Sequence, residues 1–432
     1  MIIHVVQAGE DIQSIAEIYG VTVEKIISDN ELINPAELVP GQTLVIVFPE
    51  RTYIVQQGDT LQSIATMHNV SVMQLLRNNP ALSNREYIYP GEEIVISFDT
   101  GRSIKTYGFC YPFIDESTLR KTLPNLTFLS VINYRVLENG DLSTFYDDTQ
   151  IVSICKEYGT IPLLMISSLS IRGMADYELI INFLSNEEFL ENHVEQLLQM
   201  VKAKGYLGVN FVFSFLSTDN QQYYINLLQK VSSRLRAEGY IVHITINPRI
   251  SNINGEIVFE EVDFTEFSIY ADSITFIQPA WSLVFGPPRP VSSADNLRSF
   301  VKYAINYVPA DKFVLGMPIL AYDWIIPYSP DNPYIMTLTI DSALVLAADV
   351  NATINFDEAS QTPFFEYNLP PIAFPVHHIV WFVDSRSFAA LLRIIDEYNL
   401  SGASIWNIMV YSPQLWLIIN SEYDIIKLLP HI

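Results

Sequence analysis

From about Ser103 onward, short runs rich in β-branched and aromatic residues alternate with longer stretches whose apolar positions recur every three or four residues. The runs are KTYGFCY, LTFLSVINY, TIPLLMISS, LGVNFVFSF, YIVHITINP, SITFIQPAW, KFVLGMPIL and GASIWNIM. Near-continuous apolar runs of this length, bounded by turn residues, predict buried strands. NEEFLENHVEQLLQMVKAKGY and NQQYYINLLQKVSSRLRAEGY carry the helical period and predict amphipathic helices between them. Strands joined by crossover helices over residues 103–432 predict an α/β fold, a (β/α)8 TIM barrel. One stretch breaks the alternation. Residues from about 325 to 375 are rich in Pro, Asn and Tyr and predict a small α+β insertion. It falls between strand seven and the helix SRSFAALLRIIDEYN, where it would form a lobe beside the barrel mouth.

The first hundred residues follow another pattern. HVVQAGEDIQSIAEIYGVTVEKIISDN (His4 to Asn30) and YIVQQGDTLQSIATMHNVSVMQLLRNN (Tyr53 to Asn79) align at an offset of 49 residues. Self-similarity at such a period marks a duplicated module. In each copy a β-branched strand ends at a Gly turn, and Asp11 or Thr60 stands where a helix needs its N-cap. Pro40-Gly41 or Pro90-Gly91 then turns the chain into a closing strand. Two βααβ modules, 1–49 and 50–99, are therefore expected ahead of the barrel at 103–432.

Composition narrows the function classes. Hydrophobic residues make up 49% of the chain and charged residues 17%, enough apolar chain for a sizeable core. The net charge of −24 repels phosphate backbones and anionic headgroups, so no nucleic acid and no membrane surface is expected as a partner. No apolar run reaches the roughly 18 residues of a transmembrane helix, and the start MIIHVVQAGE lacks the pattern of a secretory signal. Cys110 and Cys155 fit neither a disulfide framework nor a zinc spacing and read as two buried thiols. The adjacent pair His377-His378, expected in a loop next to Trp381, does not share a face, and no Gly-rich phosphate loop is present, so neither a metal nor a cofactor is expected.

In such barrels, sites form where the strands end at their carboxyl side. The residues expected there are Tyr111, Ser214, Trp281, Tyr322, Asp323, Trp324 and Trp406. Aromatic faces with interspersed polar groups suit the apolar faces of sugar rings.

The repeated modules resemble the LysM family, whose V-x-x-G-D-T-L start is matched by YIVQQGDTL. That resemblance implies a shallow groove for N-acetylglucosamine polymers between two loops. In this chain the loops are Gly9, Glu10, Asp11 and Ile12 with Leu32 and Ile33, then Gly58, Asp59, Thr60 and Leu61 with Ala81 and Leu82. The barrel resembles family-18 glycoside hydrolases, the chitinase family. The likeness is carried by GYxGV (Gly205, Tyr206, Gly208, Val209), PxxxYDWxxPY (Pro318 to Tyr328), TPFFEY (Thr362 to Tyr367) and WFxDxRS (Trp381 to Ser387). With two LysM modules ahead, the whole chain resembles the cortical-fragment-lytic N-acetylglucosaminidases of endospore formers, a branch of that family.

The departures fall on the chemistry. In the family, strand four ends in D-x-E: the Glu protonates the glycosidic oxygen and the Asp orients the substrate's acetamido group, the internal nucleophile. Here those positions are Val212 and Ser214. A serine hydroxyl cannot protonate a leaving group near neutral pH, and valine cannot orient an amide. The family's Tyr-Asp pair at the end of strand six is Pro279-Ala280, before Trp281. The resemblance thus implies a catalytically degenerate barrel that binds peptidoglycan, cortex or chitin-type glycan. It also implies a place in the spore envelope or cell wall, reached without a signal peptide. Two alternatives stay open: a weak N-acetylglucosaminidase with a relocated acid such as Asp323 or Asp219, and a spore-coat structural protein whose barrel binds other coat proteins.

Overall fold

The computed structural model describes residues 1–432 apart from positions 86, 138, 168–176, 214, 254–255, 278–286, 330–333, 370–375 and 431–432. The barrel strands are β1 (Ser103–Cys110), β2 (Phe128–Val136), β3 (Ile161–Ser167), β4 (Gly208–Phe213), β5 (Ile241–Ile246), β6 (Ser273–Phe276), β7 (Phe313–Pro318) and β8 (Gly402–Trp406). Each pairs in parallel with the next, and β8 pairs with β1, which closes the barrel. Closure removes both sheet edges.

Alternation along the strands sorts the side chains. On β4, Val209, Phe211 and Phe213 face outward into the core beneath the helices, while Gly208, Asn210 and Val212 face the barrel axis. The axis is filled in layers. Near the amino end, Tyr107, Phe128, Ile161, Leu163 and Val314 pack together, with His243 set against the Tyr107 and Phe128 rings. A polar layer follows, in which Asn210 donates to Ser130 Oγ at 2.9 Å and accepts from Thr245 Oγ1 at 3.0 Å. At the carboxyl end, Phe109, Ile132, Met165, Ile277 and Trp406 form an apolar cap, joined by Tyr111 and Val212.

The insertion is wider than the stretch expected from its composition. Its five-stranded antiparallel sheet begins at Ala321–Ile326 and ends at Val376–Phe382, with helix Ile340–Asp349 covering one face. His377-His378 lies within a strand of this sheet, not in a loop.

Both N-terminal modules are two-helix, two-strand units with separate small cores. Asp11 and Thr60 cap their helices as expected, each in a capping box with Ser14 or Ser63. The modules are docked, not tethered. Val45, Val47 and Phe98 belong to the barrel's own core cluster. Ile354 N of the lobe donates to Pro40 O at 2.9 Å, and Gln414 Nε2 donates to Thr43 O at 2.7 Å. The first module sits against the amino-terminal end of helix Pro413–Glu422. The second meets its far end, where Asn420 Nδ2 donates to Arg77 O at 3.0 Å.

Candidate functional site

The mouth is built by strand ends and the lobe. Among its expected residues, Ser214, Pro279, Ala280 and Trp281 lie outside the described residues. Val212 is described. It points along the axis and is partly buried against the apolar cap. Beneath it Asn210 is bonded at both ends of its amide, so the column below Val212 is neutral. Trp406 closes the cap from β8, with its ring 5.0 Å from Phe109 and only 4% of its surface exposed. These groups offer shape and dispersion, and none of the five cap side chains is an acid that could protonate a leaving group.

Tyr111 leads from the cap to the surface. Its ring stacks on Phe113 at 5.3 Å, and Phe113 meets Tyr146 edge-on at 5.5 Å. Phe113 and Tyr146 are 59% and 55% exposed, a ladder of rings on the loops after β1 and β2. Sequence reasoning missed both. The signal was present as aromatics directly after predicted strand ends, but only the fold brings the two loops together.

The lobe sheet divides the Tyr-Asp-Trp motif. Tyr322 and Trp324 are fully buried against the barrel core, and Tyr322 Oη and Trp324 Nε1 have no hydrogen-bond partner among the described residues. Asp323, between them, necessarily points to the opposite face of the strand, away from the barrel. There it is 3% exposed, accepts from Tyr367 Oη at 2.7 Å and lies 2.9 Å from His378 Nδ1, with Tyr367 and His378 stacked at 4.6 Å. Of the expected mouth residues that are described, then, Asp323 points to the lobe side of its strand, and Tyr322 and Trp324 are buried with no ring face exposed.

On the barrel-facing side of the same sheet, Trp381 packs on Phe364 at 4.5 Å. Farther along, His377 sits between Glu366 Oε2 at 3.0 Å and Asn368 Oδ1 at 2.9 Å. Glu260, after β5, accepts from Thr218 N and Oγ1, bonds that hold its carboxyl below the ordinary range and make it a poor proton donor. Asp219 is exposed beside the start of helix Gln221–Arg236. His243 is buried near the amino end of the axis, remote from the mouth, and burial pushes its imidazole down to about 3.

In the LysM modules, Gly9 and Gly58 have φ of +86° and +93°, a turn that a side chain would strain. The acids beside them are committed to the turn. Glu10 Oε2 accepts from Gln7 N at 2.7 Å and meets His4, while Asp59 Oδ2 accepts from Gln56 N and Tyr53 Oη, both at 2.8 Å. Asp11 and Thr60 are spent on caps, and Ile12 and Leu61 are half-buried against their module cores. In the second loops, Leu82 is buried in its module's core and Leu32 packs against its own, while Ile33 and Ala81 stay exposed. Among the described residues no group of His, Cys, Asp and Glu is placed to hold a metal ion.

Comparison with known proteins covers nearly the whole chain. Residues 132–409 match Glycosyl hydrolases family 18, and residues 4–47 and 53–97 each match the LysM domain. The cortical fragment-lytic enzyme of Bacillus subtilis (strain 168) is 31% identical over 433 residues, covering 99% of both chains. The crystal structure of the Bacillus megaterium QM B1551 spore cortex-lytic enzyme SleL superimposes with a TM-score of 0.78 at 28% identity over 98% of each chain. That of the Bacillus cereus spore cortex-lytic enzyme SleL gives 0.79 at 28%, over 99% of this chain and 98% of the other. The chain belongs to family 18 of the glycosyl hydrolases, with two LysM domains ahead of its barrel.

Proposed function

We propose that this protein is a glycan-binding member of its family, one that holds N-acetylglucosamine-containing wall or cortex glycan without cleaving it. The observation that carries the reading is Val212. The side chain at the position of the family's orienting Asp is packed into an apolar cap with Phe109, Ile132, Met165, Ile277 and Trp406. A carboxylate there would be partly desolvated against apolar side chains, a setting that favours the valine now present. The exposed ladder of Tyr111, Phe113 and Tyr146 supplies stacking surface at the rim. The names of the relatives, cortical fragment-lytic and spore cortex-lytic enzyme, support a place at the spore cortex or wall.

Those same names favour a second reading, a hydrolase whose acid has moved. Asp323 fits that role poorly, because it faces the lobe helix and is engaged by Tyr367 and His378. The test is paired. Retention of the native chain on purified cortex glycan, with no release of reducing ends, supports the binding reading. Release of reducing ends in proportion to protein supports the second.

A further inference from the structure

A cleft of about 110 Å³ lies between the first LysM module, the lobe and the segment after β8. Three segments supply most of its wall, the module loop after Asn30, the lobe helix Ile340–Asp349 and Val410 to Gln414, and Ile319, Asp384 and Phe388 add to it. Each of the three segments contributes one exposed aliphatic side chain, Ile33 at 65%, Val345 at 41% and Val410 at 43%. Exposed apolar groups from three distant segments that converge on one opening are the mark of a binding site and not of scattered surface.

The charged residues of the lining are all acidic, Glu31, Glu37, Asp341, Asp349 and Asp384, and among the described residues no Lys or Arg lines the cleft. Some of this charge is answered from outside. Asp384 pairs with Arg386 at 2.7 Å and Glu31 with Lys121, while Glu37 accepts from Asn34. Asp341 is different. It is half-buried in the first turn of the lobe helix and has no cationic partner among the described residues. Burial, then the Glu31 charge facing it, pushes its carboxyl above the ordinary range. A partly desolvated carboxylate facing a second one, between aliphatic walls, is complementary to an ammonium group on a body with apolar faces.

The geometry points to a subsite for glucosamine, an amino sugar carrying a free primary ammonium where N-acetylglucosamine carries an acetamide, with Asp341 as its counter-ion. This rests on the glycan-binding reading above and goes beyond it in naming a charged sugar and a place outside the barrel mouth. The cleft shares only the second loop of the expected LysM groove. Leu32 and Ile33 border it, but Gly9 to Ile12 do not. A strand lying along the first module would reach this opening through the same second loop.

The test is calorimetric titration of the full chain with glucosamine hexamer and N-acetylglucosamine hexamer, at mildly acidic pH and low salt. A chain of net charge −24 attracts any polycation, so the readout is the difference between variants and not binding itself. The native chain should prefer the glucosamine hexamer. Asp341→Asn should cut that affinity by about tenfold, the loss expected when one hydrogen-bonded charge goes, and leave the acetylated hexamer unchanged. Val345→Trp, which blocks the opening at constant charge and an exposed position, should do the same. An unchanged preference in both variants overturns the subsite while the glycan reading stands, whereas failure of both hexamers to bind the native chain overturns the glycan reading itself. Cadaverine displacing the glucosamine hexamer at equal amine concentration would overturn the sugar assignment.

Discussion

Removal of the Asp323 carboxylate separates a structural acid from a catalytic one. Asp323 is 3% exposed and serves two buried neighbours, Tyr367 Oη at 2.7 Å and His378 Nδ1 at 2.9 Å. Asp323→Ala leaves both without their acceptor in a site too tight for bulk water. Each stranded polar group costs about 1–3 kcal/mol, so the variant should lose about 2–6 kcal/mol. That is a large share of the roughly 5–15 kcal/mol that holds a typical domain folded. Asp323→Asn keeps the shape and one acceptor oxygen for Tyr367, and the loss should fall to about 1–2 kcal/mol. Tyr367→Phe should cost less in the Asp323→Ala background than in the native chain, because the two groups share one bond. Urea unfolding gives the totals, and amide hydrogen exchange should place the loss in strands Ala321–Ile326, Thr362–Leu369 and Val376–Phe382. Native-like stability in Asp323→Ala would refute the buried network. If that variant also lost a measurable hydrolase activity of the native chain, Asp323 would be the relocated acid.

Gly41→Ala should loosen the first LysM module by about 1–3 kcal/mol, since φ is +89° and the added Cβ would stand 2.0 Å from Ile354 O; faster proteolysis between the modules and the lobe would register it. Burial pushes His243 down to about 3 and His193 down to about 4, so below the unfolded value of about 6.5 the unfolded chain binds more protons than the folded one. Stability should therefore be full above that value and fall as pH drops, by about 2 kcal/mol for each imidazole at pH 5, and His243→Phe should flatten the slope in acid unfolding curves. Phe113→Ala with Tyr146→Ala should weaken retention on neutral glycan by about three- to tenfold without changing the melting temperature, because both rings are exposed; unchanged retention would remove the ladder from the site.

The fold was largely legible because its signals are local. Short β-branched runs between amphipathic helices specify a parallel barrel, and a 49-residue offset with capping residues in place specifies the repeat. The facing of Tyr-Asp-Trp was half legible. Alternation alone shows that Asp323 opposes Tyr322 and Trp324, but which face meets the barrel depends on helix Ile340–Asp349, whose position the pattern does not reveal. VHHIVWF carries a strand signal in its β-branched and aromatic residues, and the paired histidines obscured it. Leu82 reads as loop by its neighbours yet fills a core. The docking of the first module was not legible at all. Pro40 meets Ile354 and Thr43 meets Gln414 across more than 300 residues of chain, contacts that no local period encodes. The cleft with Asp341 exists only because of that docking.

The central claim, that this barrel binds glycan without cutting it, is tested most directly by incubating the purified native chain with N-acetylglucosamine oligomers and cortex fragments and counting new reducing ends by mass spectrometry. The account predicts none above a protein-free control while the same sample is retained on cortex. It also predicts little gain from Val212→Asp with Ser214→Glu, because general acid catalysis contributes only about 10²–10⁴-fold and the apolar cap of Phe109, Ile132, Met165, Ile277 and Trp406 would still surround the new carboxylate. Reducing ends that accumulate in proportion to native protein would contradict it.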